Sequence, residues 1–210
     1  MADSSVAWDV LGVTADWSET PTLFRDERFD RLDDPPANCK QRSGKMAARH
    51  SSPAVSLFFE DLVIMRVFDA PRETVWKAWT DPKHFMRWWG PKGFTSPACK
   101  IDLRVGGKYL YCMLSPEGQD YWSTGVYRDI VPMERIVCTN SFADSEGNVV
   151  AASYYGMHDY WPLEMVVTVT FEEDGGQTIM TLRHDEIPRN MKRDCEAGWG
   201  GSFDKLAGIL

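Results

Sequence analysis

No run of about 18 apolar residues occurs in the 210-residue chain, so no segment is long and apolar enough to cross a bilayer as a helix. Its opening, Met1-Ala-Asp-Ser-Ser-Val-Ala-Trp-Asp-Val10, has neither a basic start nor a sustained apolar stretch, which argues against an export signal. Cysteine is sparse and unpaired. Cys39, Cys99, Cys112, Cys138 and Cys195 are odd in number, scattered, and never spaced as Cys-x-x-Cys. That pattern fits neither a disulfide framework nor a zinc site, and it predicts reduced thiols in a cytoplasmic protein. Positive charge is short as well: 23 Lys and Arg against 31 Asp and Glu leave a net charge of −8. Phosphate backbones and anionic membranes are therefore disfavoured partners.

Chemical signatures are equally scarce. There is no Gly-x-Ser-x-Gly, no phosphate loop and no dinucleotide fingerprint. His158-Asp159 and His184-Asp185-Glu186 lack metal-ligand spacing, and neighbours on a strand point to opposite faces, so His184 and Asp185 cannot serve one site. The reading therefore calls for no metal, no cofactor and no catalytic residue. What the chain has in surplus is aromatic area: 12% Phe, Trp and Tyr, with nine Trp, enough to wall a core or a pocket.

Residues 1–54 differ from the rest. An acidic stretch (Asp3 to Asp34) precedes a basic one (Lys40, Arg42, Lys45, Arg49), with breaks at Pro35-Pro36 and Ser51-Ser52-Pro53. Such a composition buries little and reads as a loosely ordered extension or linker, with a short helix after Thr20-Pro21. From Val55 the pattern sharpens into one domain, 55–210. Leu62–Phe68 reads as a buried strand, Pro71 opens a helix carrying Val75, Trp76 and Trp79, and Asp81-Pro82 caps a second helix running to Trp89-Gly90-Pro91. A run of strands follows. Gly106-Gly107 reads as a two-residue hairpin turn between Cys99–Val105 and Lys108–Leu114, with reversals at Pro116-Glu-Gly118, Val131-Pro-Met133, Asp144–Asn148 and Asp174-Gly-Gly176. Connections this short demand antiparallel neighbours.

Two strands declare their faces. Met165, Val167, Val169 and Phe171 alternate with more polar partners, and so do Met180, Leu182 and His184, so one sheet face meets water. Met191, Cys195, Trp199, Phe203, Leu206 and Leu210 then recur at helical spacing, the natural cover for the other face. The fold class is α+β in two layers.

Phe68-Asp-Ala-Pro-Arg72, Val75-Trp-Lys-Ala-Trp79, Thr80-Asp-Pro82, Arg87-Trp-Trp-Gly-Pro91 and Asp102-Leu-Arg-Val-Gly-Gly107 resemble homologues of the activator of heat-shock protein 90 ATPase. So do Gly125-Val-Tyr127, Val167–Glu172 and Gly198-Trp-Gly-Gly-Ser-Phe-Asp-Lys-Leu206. These are members of the START-related, birch-pollen-allergen-like superfamily. The resemblance covers about residues 60–210 and implies a helix-grip fold: a curved antiparallel sheet, two short helices and a long C-terminal helix, enclosing a cavity for apolar ligands. It implies a cytosolic ligand-binding domain, with a chaperone-contacting interaction module or a cyclase- or dehydratase-like enzyme as the alternatives. Chaperone-activating relatives carry a larger N-terminal domain, and residues 1–54 do not match it. A homodimer is a further expected partner.

The candidate ligand-binding residues are Trp88, Phe94, Tyr109, Tyr111, Met113, Asn140, Met165, His184, Trp199 and Phe203. Asn140 shares a strand phase with Ile136, Cys138 and Phe142, and an inward amide needs partners, from a ligand or from the protein. His184 is read either as a hydrogen-bonding group at the pocket mouth or as a satisfied histidine at a strand end. Gly198, Gly200 and Gly201 weaken a helix by roughly 1 kcal/mol each, so either close approach to sheet aromatics or room for a ligand should compensate. The loop Tyr154–Pro162, dense in rings, reads as a lid on the cavity, a cover of the sheet edge, or a contact with a second subunit.

Overall fold

In a computed structural model, residues 58–210 are described; the extension expected over 1–54, with its helix and Cys39, lies outside them. Strand β1 (Phe59–Phe68) is followed by helices α1 (Arg72–Thr80) and α2 (Pro82–Phe85). Strands β2 (Cys99–Ile101), β3 (Lys108–Leu114), β4 (Asp120–Val131), β5 (Arg135–Ala143), β6 (Met165–Asp174) and β7 (Gln177–Pro188) come next, and helix α3 (Lys192–Ala207) closes the domain. The strands form one antiparallel sheet in the order β1-β7-β6-β5-β4-β3-β2. Because β1 and β2 occupy opposite edges, the chain between them must cross a sheet face. It does so through α1 and α2.

Proline and aspartate set the helix starts. Pro71 caps α1 at φ −60°, and its carbonyl accepts from the N–H groups of Thr74 and Val75. The Asp81 carboxylate accepts from Lys83 N–H at 2.8 Å, with Pro82 supplying the fixed φ of a first helical turn. α2 is shorter than its sequence suggests, stopping four residues before Trp89. The N–H groups of Trp88 and Trp89 both go to Phe85 O, so the regular ladder ends there and a turn carries both indoles inward. Gly90, at φ +92°, then reverses the chain with a conformation that a side chain would strain.

Two further expectations are corrected. β1 is not a buried strand. Leu62 and Phe68 point into the core, while Val63, Met65 and Val67 are 57–66% exposed, because β1 is an edge strand and the helices cover only one sheet face. The β2–β3 connection is not a two-residue turn either. β2 ends at Ile101, opposite Tyr109, and Asp102 N–H still bonds to Lys108 O, leaving Leu103–Gly107 as the loop. In β6 and β7 the alternation holds: Met165, Val167, Val169, Phe171, Met180, Leu182 and His184 are all buried.

On α3, Phe203 and Leu206 are buried, with Cys195 and Trp199 partly so; Met191, just before it, is buried, and Leu210, beyond its end, is half-buried. Ion pairs fix its entry, where Glu60 meets Arg189 at 2.7 Å and Lys192 at 2.8 Å. Near its end the Lys205 ammonium donates to three backbone carbonyls, those of Trp89, Gly90 and Phe94, at 2.9–3.2 Å. The glycines face neither sheet aromatics nor a ligand space. A Cβ on Gly198 would touch the Pro91 ring at 3.8 Å, one on Gly200 the Arg66 guanidinium at 3.9 Å, and one on Gly201 the Lys92 backbone nitrogen at 3.1 Å. Close approach is thus real only at Gly201, and its partner is the Pro91-Lys92 turn. Gly198→Ala and Gly200→Ala should each add about 0.5–1 kcal/mol of stability in urea unfolding, since both gain helix propensity without a clash. Gly201→Ala should gain less, because the turn must move; equal gains at all three would contradict this packing.

Candidate functional site

The face of the sheet beneath the helices can be followed through the pairing register. Tyr111 lies opposite Ser123, Ser123 opposite Phe142, Asn140 opposite Met165, Cys138 opposite Val167, and Val167 opposite His184. Cross-strand partners share a face, so all of these project toward the helices. Toward the α1–α2 side the rings form a continuous wall. Phe85 lies 4.2 Å from Tyr111, 4.8 Å from Trp89 and 5.0 Å from Trp88 between ring centres, and Tyr109 stacks on Tyr111 at 4.2 Å. Trp199 of α3 reaches Trp89 at 5.4 Å, Phe203 at 5.6 Å and Trp79 at 6.3 Å. Gly125 makes room for this wall, since any side chain there would run into Tyr109 and the Thr139 carbonyl.

Two polar arrangements are built into it. In the first, Tyr109 O–H donates to Thr139 O at 2.7 Å and accepts from Asn140 Nδ2 at 3.0 Å, while the hydroxyls of Tyr111 and Tyr127 share a hydrogen bond at 3.1 Å. Burial pushes the phenols of Tyr109, Tyr111 and Tyr127 well above their usual range, so all three are neutral hydroxyls. In the second, Trp199 Nε1–H donates to His184 Nδ1 at 3.3 Å. An indole can only donate, so Nδ1 carries no proton and the neutral ring holds its proton on Nε2. Burial pushes the His184 pKa down to about 4, so the ring is neutral at pH 7. His184 Nε2 finds no hydrogen-bond partner among the described residues, and the same holds for the indole nitrogens of Trp79 and Trp89.

The ten candidate residues therefore separate. Trp88 and Phe203 are core: Trp88 is fully buried, and its indole N–H is taken by Ala78 O at 2.9 Å. Tyr109, Tyr111 and Asn140 form the hydroxyl–amide network, in which the Asn140 amide is bound by protein. Met113 packs on the core beside Gly90, and Phe94 meets Tyr121 at a ring distance of 6.3 Å. Met165 belongs to a second apolar cluster with Leu62, Ala152, Trp161, Ile187 and Met191. His184 and Trp199 come together, but His184 is not at a strand end. β7 continues to Pro188, and the ring is 6% exposed beneath α3. The ring-rich loop is pinned rather than free. Tyr155 O–H donates to Ala143 O and accepts from Trp122 N–H, and Trp161 is buried in the second cluster. Trp79 and Trp89 are not among the ten candidates. Trp79 is inward by its helical phase and Trp89 stands at a helix end, but only the assembled fold shows that their N–H groups find no acceptor among the described residues.

The four described thiols, Cys99, Cys112, Cys138 and Cys195, are free, and burial pushes each up to about 11 or 12, so they are unreactive. Among the described residues, no helix is long and apolar enough to cross a membrane.

A family profile described as "Activator of Hsp90 ATPase homolog 1-like protein" matches residues 69–210. The chain belongs to that family. Among solved structures, members and look-alikes of the activator-homolog family share its helix-grip fold. A Chromobacterium violaceum protein is 29% identical, with 71% of this chain and 96% of that one covered at a TM-score of 0.60. The activator-homolog protein from Silicibacter pomeroyi is 27% identical, with 72% and 97% covered at 0.59. An Arthrobacter aurescens protein at 24% identity matches in fold, with 74% and 87% covered at 0.62. A search of curated proteins returned no match.

Proposed function

We propose that this activator-homolog domain is a cytosolic binder of a small, mainly apolar molecule, held between the concave sheet face and α3. The observation that carries the reading is a strip of that face which the helices leave partly open. Met113, Tyr121, Ser123, Asn140 and Phe142 share the inward face with the buried rings, yet each remains part-exposed, as does Trp199 above them. A core filled by its own side chains would bury these positions; a surface facing water would not be lined with Phe, Tyr and Met. An apolar guest there would gain roughly 25 cal/mol for each Å² of apolar surface it removes from water. Family membership supports the same reading, because the superfamily's members typically bind hydrophobic ligands.

The enzyme alternative finds less support. With its proton on Nε2 and Nδ1 occupied by Trp199, the neutral His184 imidazole offers a donor rather than a free lone pair, which does not suit it to act as a base in cyclisation or dehydration. The test is direct. Native mass spectrometry of protein taken from its own host should show a non-covalent adduct. A panel of apolar compounds should also shift tryptophan emission and raise Tm together, saturably. No adduct and no saturable response across the panel would sink the binding reading and bring the interaction module forward.

A further inference from the structure

The unpartnered nitrogens around Trp199 define what the guest must carry. Three buried N–H groups belong to rings that contact this one indole: His184 is hydrogen-bonded to it, and the rings of Trp79 and Trp89 pack on it at 6.3 and 5.4 Å. Each side chain is more than nine-tenths buried, and none of the three nitrogens has an acceptor among the described residues. Buried donors left unpaired are costly, and native interiors carry few of them. All three groups are donors. Indole can do nothing else, and the Trp199 contact fixes His184 in the tautomer with its proton on Nε2.

The charge nearby is already committed. Arg66 bonds to Asp204 at 2.8 Å and to Gly200 O, Lys92 pairs with Asp204 at 2.9 Å, and all three Lys205 contacts go to backbone carbonyls. Arg72, at the start of α1, faces Glu173 at 3.9 Å, and its Nε is itself buried without a partner among the described residues. A carboxylate contacting the three rings would meet neutral donors, and would forfeit its hydration for hydrogen bonds without a counter-charge at those atoms. A hydroxyl would be accepted, but would bring a proton of its own into a cluster of donors. A carbonyl oxygen has lone pairs and nothing to donate.

We infer that the ligand is an apolar ketone or ester whose neutral carbonyl oxygen is taken by His184 Nε2–H together with the indole N–H of Trp79 or Trp89. This rests on the binding reading above and narrows it from any apolar molecule to a class. It also assigns Trp79 and Trp89 as binding residues beside His184.

Three probes of matched shape separate the possibilities: 4-phenylbutan-2-one, butylbenzene and 3-phenylpropanoate, titrated calorimetrically into the full chain at pH 7. The ketone should bind at least tenfold more tightly than the hydrocarbon and at least tenfold more tightly than the carboxylate. Trp89→Phe and Trp79→Phe keep a ring but lose the N–H; at least one should bring the ketone-to-hydrocarbon ratio close to one, leaving butylbenzene affinity within about twofold. His184→Gln, which can still accept from Trp199 and donate inward, should preserve much of the ratio. Equal binding of ketone and hydrocarbon by the wild type overturns the inference while leaving the binding reading intact. A carboxylate that binds tightest also overturns it. Failure of all three probes to bind counts against the binding reading itself. Because the wild-type ratio decides, a variant that fails to fold does not shelter the idea.

Discussion

Between pH 7 and pH 4 the domain should lose about 3 kcal/mol of stability through His184 alone. Its folded pKa is pushed down to about 4 by burial, while in the unfolded chain it titrates near the ordinary 6.5. Above pH 6.5 both states hold the ring neutral and the group contributes no pH dependence. As pH falls below 6.5 the unfolded chain takes up a proton that the folded one refuses, so stability declines until about pH 4 and then levels. Asp185 and Arg183 flank it in sequence and pair with each other at 2.6 Å on the outer face, and the Asp185 carboxyl titrates in any variant as well. The clean measurement is therefore a difference: urea unfolding of wild type and His184→Gln at pH 7, 5.5 and 4. The wild type should show the extra loss and the variant should not. Parallel curves would mean that the ring is solvated, and the tautomer argument would fall with it.

Phe85→Ala should cost about 4 kcal/mol, as large aromatic truncations in a closed core do. Phe85 is fully buried at the end of α2, and its ring meets Trp79, Trp88, Trp89 and Tyr111 at 4.2–6.4 Å. Few of these neighbours can collapse into the void. Trp88 is tethered to Ala78 O, Tyr111 to Tyr127, and the Trp89 carbonyl to Lys205. Equilibrium unfolding should show a lower midpoint with an unchanged denaturant slope. A loss below about 1.5 kcal/mol would mean that the aromatic wall is soft enough to repack, contrary to interiors that are packed densely.

Alternation in β6 and β7 could be read because those strands lie inside the sheet with one face covered, where period two reports burial directly. β1 carries an equally apolar run but lies at an edge, and local sequence does not say how many neighbours a strand will have. The β2–β3 turn misled for a related reason: paired glycines signal a reversal, but the register of Asp102 against Lys108 decides where the ladder stops. The helix-grip architecture came through the order and spacing of motifs rather than any single one. At the site, His184, Trp199 and Asn140 were visible as inward-phased polar or amphipathic side chains. Whether each finds a partner is a property of distant residues. Asn140 finds Tyr109, 31 positions away, whereas the indole nitrogens of Trp79 and Trp89 find no partner among the described residues.

Helix α3 is tied most firmly at its two ends, and its middle turn, though touched by Arg66 and His184, has the lowest helix propensity. Glu60 grips its entry, the Lys205 ammonium and Phe203 secure its exit, and Gly198, Gly200 and Gly201 fall in the turn that carries Trp199. A clamped rod with a compliant middle bows rather than swings. On the proposed binding reading, a guest beneath Trp199 would be admitted by a local outward flexing of one helical turn, with no detachment of either end. In hydrogen exchange, amides of that turn should open by small excursions, while those beyond Phe203 exchange only when the domain unfolds as a whole.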